Sequence, residues 1–348
     1  MRDEFVRRRG WLDDATFVDL LGAANLIPGP TSTELAMHIG HRRAGGAGLV
    51  VAGLAFLLPA VLIVAALAWL YVEQGQRPEI EALFVGVAPV VVAVIAHAGW
   101  SIGRTAIRTR FAVALFVAAL AAVVVGVPEI VVLLGAGVVA LGVQTAAGWP
   151  VRALVGLPPA ALPSGWAALP VAAVSTAAIF LTFLKIGAVL FGSGYVLVAL
   201  LRSELVVNLG WITEQQLLDA VAVGQATPGP VFSTATFIGY VVGGPAGSMA
   251  ATVGVFLPAF VAVAVSIPIL ERLRGSARAR AFLDAVNVAA VALIAIVAVQ
   301  LAVTAFRDLL SVVTALAALV GLALGVGSGW LILAGAGAGL IRLALIPP

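Results

Sequence analysis

The chain has 348 residues, 62% of them hydrophobic and only 10% charged, with a mean hydropathy of +1.16. A soluble domain carries about 25% charged residues, so this composition cannot cover a water-facing surface and marks an all-α polytopic membrane protein. The chain lacks cysteine, which excludes disulfides, thiolate metal centres and cysteine nucleophiles. Its three histidines and net charge of +3 point to neither a metal site nor nucleic acid, and no cofactor is expected.

The opening "MRDEFVRRRGWLDDATF" is charged and amphipathic, unlike the apolar core of a signal peptide. Residues 12–26 and 31–41 are each too short to span a bilayer alone, and Pro28-Gly29-Pro30 joins them. Apolar spans are predicted at 45–72, 79–103, 110–126 and 128–147. The Pro- and Gly-rich stretch 148–165 reads as a linker between a first repeat, 1–147, and a second, 166–348. The second opens with a span at 166–201. Another short pair follows, 213–226 and 231–242, joined by Pro228-Gly229-Pro230. Spans at 244–270, 281–305, 308–326 and 328–346 complete about 9 to 10 transmembrane helices.

The halves share a phrase. Trp11, Asp19 and Pro28-Gly29-Pro30 match Trp211, Asp219 and Pro228-Gly229-Pro230 at an offset of 200. One deletion later the offset is 199, pairing Ile39-Gly40 with Ile238-Gly239 and Leu58-Pro59-Ala60 with Leu257-Pro258-Ala259. Agreement in this order over about 50 residues identifies an internal duplication. Arg42, Arg43, Arg104, Arg108, Arg110 and Arg152 all fall on one side if each span crosses once, and the positive-inside rule makes that side cytoplasmic. Arg272, Arg274, Arg278 and Arg280 return to it only if the second Pro-Gly-Pro pair is a re-entrant hairpin. The two hairpins then enter from opposite faces, and the halves are inverted-topology repeats, a plan of secondary transporters with the site at the midplane.

Proline lacks an amide hydrogen and disfavours helix in the residue before it, so Pro-Gly-Pro ends one helix and starts another. The second proline suits the first helical turn. The new helix opens with unpaired amides and about half a positive charge. Hydroxyls follow, Thr31, Ser32 and Thr33 in one half and Ser233, Thr234 and Thr236 in the other. Two such ends meeting near the midplane would cradle one small oxyanion; a structural kink is the plainer alternative. Lys185 is the sole lysine, deep in its apolar run, where a charge usually faces a cavity or a partner such as Asp219 or Glu34. Gly192, Ser193 and Gly194 follow it and permit close approach or a helix break. Glu34 and Asp219 are the candidate proton-coupling carboxylates; a salt bridge is the alternative for Glu34, capping or pairing for Asp219 and Asp19. No histidine is read as a metal ligand.

The segments "GWLDDATFVDLLGAANLIPGPTS", "IGHRRAGGAG", "FLKIGAVLFGSGY" and "GWITEQQLLDAVAVGQATPGPVFSTATFIGY" resemble the chromate ion transporter family in its long, two-domain bacterial form. The resemblance implies efflux of chromate across the inner (plasma) membrane, driven by the proton motive force, with sulfate as a competing or mistaken substrate. Chromate, protons and lipid are then the partners, and a homodimer is compatible with the sequence. Two departures stand out: the first half shows no counterpart of the 185–195 helix, and "FLLPA" and "FLPAF" lack a serine expected after the proline. The competing readings are a sulfate uptake carrier or exchanger, a channel, and an intramembrane enzyme using Ser193 and His97. The last has no carboxylate partner for the histidine, so no enzymatic activity is expected.

Overall fold

A computed structural model describes residues 1–24, 27, 29–75, 77–146, 174–190, 194–269 and 276–345. The proposed linker 148–165 lies outside them. The helices are α1 (Asp14–Ala24), α2 (Thr31–Gln74), α3 (Pro78–Ala106), α4 (Arg110–Val124), α5 (Glu129–Ala146), α6 (Thr176–Val189), α7 (Val196–Leu201), α8 (Glu214–Ala226), α9 (Thr234–Ser266), α10 (Ala277–Ala305), α11 (Leu309–Ala323) and α12 (Ser328–Leu345). Short π-helical turns precede α1 and α8, at Asp3–Arg8 and Arg202–Asn208. Among the described residues there is no strand, and the all-α reading holds.

Among the described residues, four stretches are long and apolar enough to cross a membrane: α2, α3, Val231–Ser266 and α10. α4, α5, α6, α11 and α12 are apolar but shorter. A 15-residue helix such as α4 rises only about 22 Å, against a hydrocarbon core of about 30 Å. The expected single span at 166–201 is corrected. α6 ends at Val189, Leu190 turns extended, and α7 begins at Val196.

The expected spans at 45–72 and 244–270 belong to longer elements that begin at the Pro-Gly-Pro turns. Each bends sharply. In α2, Ala44 and Gly45 leave the helical region (φ −146°, +57°); in α9, Gly243 and Gly244 do the same (φ −142°, +60°). Glycine takes the positive φ without steric penalty. The chain doubles back there: Gly40 lies against the Gly48 backbone and Gly239 against that of Gly247, so a Cβ at any of them would collide. That explains the repeated Ile-Gly. In the second hairpin Thr236 and Thr252 share a 2.8 Å hydroxyl contact, and Ser248 Oγ donates to the Thr236 carbonyl. Ahead of the first bend, α1 folds onto the start of α2, burying Phe17, Leu20 and Ala24 against Leu35 and Ile39.

The correspondence of the halves extends beyond the shared phrase. α3, α4 and α5 begin and end 199 residues before α10, α11 and α12. The left-handed glycines of the described residues also pair: Gly10 with Gly210, Gly29 with Gly229, Gly45 with Gly244, Gly126 with Gly325. Small residues set the helix contacts, as is usual where lipid supplies no hydrophobic drive. Gly86 of α3 meets Gly335 and Gly339 of α12, Gly137 of α5 meets Phe282 of α10, and Gly187 of α6 meets Val255 of α9.

Candidate oxyanion site at the paired Pro-Gly-Pro turns

Gly29 and Gly229 have φ of +139° and +153°. Pro30 and Pro230 follow in extended conformation, and helix begins at the next residue. The second proline is thus the N-cap, one residue ahead of the first-turn position expected. Each turn rests on the opposite half. Gly29 abuts Ala259 of α9, and Gly229 abuts Ala60 of α2. These alanines end the repeated Leu-Pro-Ala, and each is 1% exposed. The contact therefore recurs with the halves exchanged. The doubling back of α2 sets Met37 beside Gly53, which brings Ala60 level with Pro30; Ala60 in turn touches Gly229. Both turns lie at one level of the fold.

The next residues are buried and polar. Thr33, Glu34 and Thr234 are fully buried, and Ser233 nearly so. Among the described residues, Thr33 Oγ1, both Glu34 oxygens, Ser233 Oγ, Thr234 Oγ1 and Gln225 Nε2 have no hydrogen-bond partner. Each such atom costs about 1–3 kcal/mol, and native proteins leave few of them. Except for Gln225 in the last turn of α8, they gather at the matched starts of two helices, beside the positive ends of two dipoles. Hydroxyls, helix amides and one carboxylate form a set that can hydrogen-bond a small oxyanion and carry a proton. Glu34 has no acidic counterpart, because Thr234 holds its place.

The break after α6 lies between the turns. The Gly29 N–H donates to the Leu190 carbonyl at 2.9 Å, and Gly194 lies beside Val231 and Phe232. Thr31 is half-buried, while Ser32 is exposed and outside the polar cluster. Pro228 is exposed as well. Pro28, Gly192 and Ser193 lie outside the described residues, as does the side chain of Asp19.

Two ion-pair expectations are corrected. Lys185 pairs with neither Asp219 nor Glu34: its Nζ donates to both oxygens of Glu204 at 2.9 Å, with the lysine side chain 51% exposed. The exposed face of α6 aims it at the turn after α7. Asp219, 3% exposed, accepts instead from the Tyr71 hydroxyl and Gln215 Nε2, both at 2.8 Å. Arg307 donates to Gln215 Oε1 at 3.0 Å, extending the chain outward. Sequence reasoning missed Tyr71, Gln215, Arg307 and Glu204. Gln215 carried a faint signal, one helical turn before Asp219. Tyr71 lies 148 residues from Asp219, and nothing local announces it.

No solved structure matches the chain significantly. A family model described as "Chromate transporter" matches residues 1–141 and 177–340. A "Probable chromate transport protein" of Synechococcus elongatus is 33% identical over 328 residues, 92% of this chain and 83% of that protein. A "Chromate transport protein" of Pseudomonas aeruginosa is 36% identical over 321 residues (88% and 76%), and one of Cupriavidus metallidurans 32% over 332 residues (93% and 81%). With its apolar helices, a family match on both halves and relatives above 30% identity along most of their length, this chain is a multi-pass membrane protein that belongs to the chromate transporter family.

Proposed function

We propose that the chain is a secondary carrier that exports chromate across the inner membrane, driven by the proton motive force. The observation that carries this reading is the set of unpartnered buried polar atoms at two matched helix starts. Hydroxyls and helix amides fit a tetrahedral dianion, and the relatives' names supply chromate. Lys185 is neutralised by Glu204, so the helix starts, Thr33, Ser233 and Thr234 take the anion's charge. Thr31, Pro30, Pro230, Gly29 and Gly229 shape the turns, and Gly194 borders the second.

The exchanged contacts, Gly29 on Ala259 and Gly229 on Ala60, support a two-fold relation between halves of inverted topology. Rocking about these contacts would open the site to each face in turn. Glu34 is the favoured proton carrier, because both its oxygens are buried without partners at the site itself. Asp219, already held by two donors, is the secondary candidate.

Sulfate shares the tetrahedral dianion shape, so uptake or exchange of sulfate is the competing reading. Chromate accumulation in everted membrane vesicles separates them. Accumulation that requires an imposed proton gradient supports the exporter. Gradient-independent sulfate–chromate exchange would replace it.

A further inference from the structure

The first limb of α2 runs from Thr31 to the bend at Ala44 and Gly45 and carries Glu34, His38 and His41. Residues three and four apart are neighbours on a helix surface. At 3.6 residues per turn these three fall within about 60° of arc. Helical side chains lean back toward the N-terminus, so His41 lies over position 38 and His38 over position 34. The stripe rises about 10 Å from Glu34 to His41, and exposed Arg42 and Arg43 follow it.

The stripe is shielded from its start. Glu34 and His38 are 0% and 3% exposed. His41 is half-buried, and its buried Nδ1 has no hydrogen-bond partner among the described residues. Other faces of the limb are taken by packing. Leu35 and Ile39 lie against α1. Gly40 and Met37 meet Gly48 and Gly53 of the returning limb of α2, and Met37 clusters with Ala259 and Val263 of α9. α9 has no charged residue, and the returning limb has none before Glu73. α1 brings Asp14, held by Arg2, and Asp19, whose side chain is outside the described residues; Asp13, just ahead of α1, lies near Arg42. Asp219 of α8 is held by Tyr71 at the far end of α2.

The matched limb of α9 has no such stripe. Thr234, Phe237, Tyr240, Val241 and Val242 stand where α2 has Glu34, His38, His41, Arg42 and Arg43. The backbone does not require the difference, because both bends have nearly the same φ and the same close glycine approach. Two imidazoles extend the site toward one face only.

We propose that His38 and His41 relay a proton between Glu34 and the arginine-bearing face, the inner face of the exporter, an inference that rests on Glu34 as the proton carrier. On discharge the Glu34 O–H bond breaks and an N–H bond forms on His38. His38 gives a proton from its other nitrogen to His41, and His41 releases one to water. Imidazole suits this role because it accepts and donates near neutral pH. The proton then leaves on the side where chromate is taken up, as antiport requires.

The test uses the purified protein in proteoliposomes and two fluxes. Chromate–chromate exchange without a gradient needs no net proton movement; proton-driven net transport does, and a trapped pH dye reads the protons released. The variants are His38→Phe, which installs the residue of the matched hairpin, and His41→Phe. Exchange should be retained in both, while driven transport and proton release fall by at least about 100-fold. His41→Glu, which restores a titratable group, should recover driven transport. Full driven transport in either phenylalanine variant overturns the relay. So does an equal loss of exchange and driven transport, or a His41→Glu protein no better than His41→Phe. If His38→Phe does not accumulate, the half-buried His41 position decides. A parent that exchanges chromate with no proton-driven transport refutes the coupled exporter itself, and the relay falls with it.

Discussion

Replacing Gly29 by alanine tests the interlock of the halves. At φ +139° a side chain is strained by about 1–3 kcal/mol. The new Cβ would also collide with Glu34 Oε1 and lie 2.8 Å from the Ala259 methyl. The glutamate tip can swing away, but the methyl on buried α9 cannot, so overpacking adds about 1–3 kcal/mol. The expected loss is about 2–6 kcal/mol, a large share of the 5–15 kcal/mol that typically holds a domain together. Denaturant unfolding in detergent, followed by tryptophan fluorescence, reads it. Adding Ala259→Gly should return the overpacking part, about 1–3 kcal/mol, and leave the strain. A Gly29→Ala protein within about 0.5 kcal/mol of the parent, or a double variant no more stable than the single, would refute the interlock.

The mirrored change, Gly229→Ala, should be partly rescued by Ala60→Gly in the same assay, since the contact recurs with halves exchanged. Tyr71→Phe removes one of two donors to buried Asp219 and should lower stability by about 1.5–3 kcal/mol; a neutral result would mean the bond contributes nothing. Lys185→Ala and Glu204→Ala should each cost at most about 1 kcal/mol, because the lysine of the pair is half-exposed, and the double variant should cost no more than either alone. Asp308 caps α11, and the Ser311 backbone N–H, aided by Arg342, holds its carboxyl below the usual aspartate range. Its stabilisation is therefore present above the unfolded value of about 3.9 and lost as pH falls through the lowered one. Asp308→Asn should flatten that acid limb in a pH series of unfolding midpoints.

Composition and apolar runs reveal the helical membrane class, because lipid dictates both. The repeated phrase locates the turns, and its glycines recur where the backbone needs positive φ or a close approach: Gly29, Gly40, Gly229, Gly239. Repeat matching by side chain fades after Ala60, yet the matched bounds of α3 and α10 continue. Lipid-facing Val, Leu and Ala interchange freely, so backbone geometry outlasts identity there. Lys185 shows the limit of reading charge by depth alone. Its position in an apolar run gives the need for a partner but not which one, and Glu204 sits beyond a helix break that the 166–201 run conceals. Asp219 likewise depends on Tyr71, a partner that only the packing of α2 near α8 brings close.

The central claim is that an oxyanion binds the hydroxyls that open α2 and α9. Its most direct test is chromate affinity of the purified protein by isothermal titration, in the parent and in Thr33→Ala with Ser233→Ala. A hydrogen bond to a charged group contributes about 1.5–3 kcal/mol, and about 1.4 kcal/mol is tenfold in affinity. The double variant should therefore bind at least about 100-fold more weakly while unfolding at an unchanged or higher denaturant concentration, since two unpartnered buried hydroxyls are removed. Undiminished chromate affinity in a folded double variant would contradict the site.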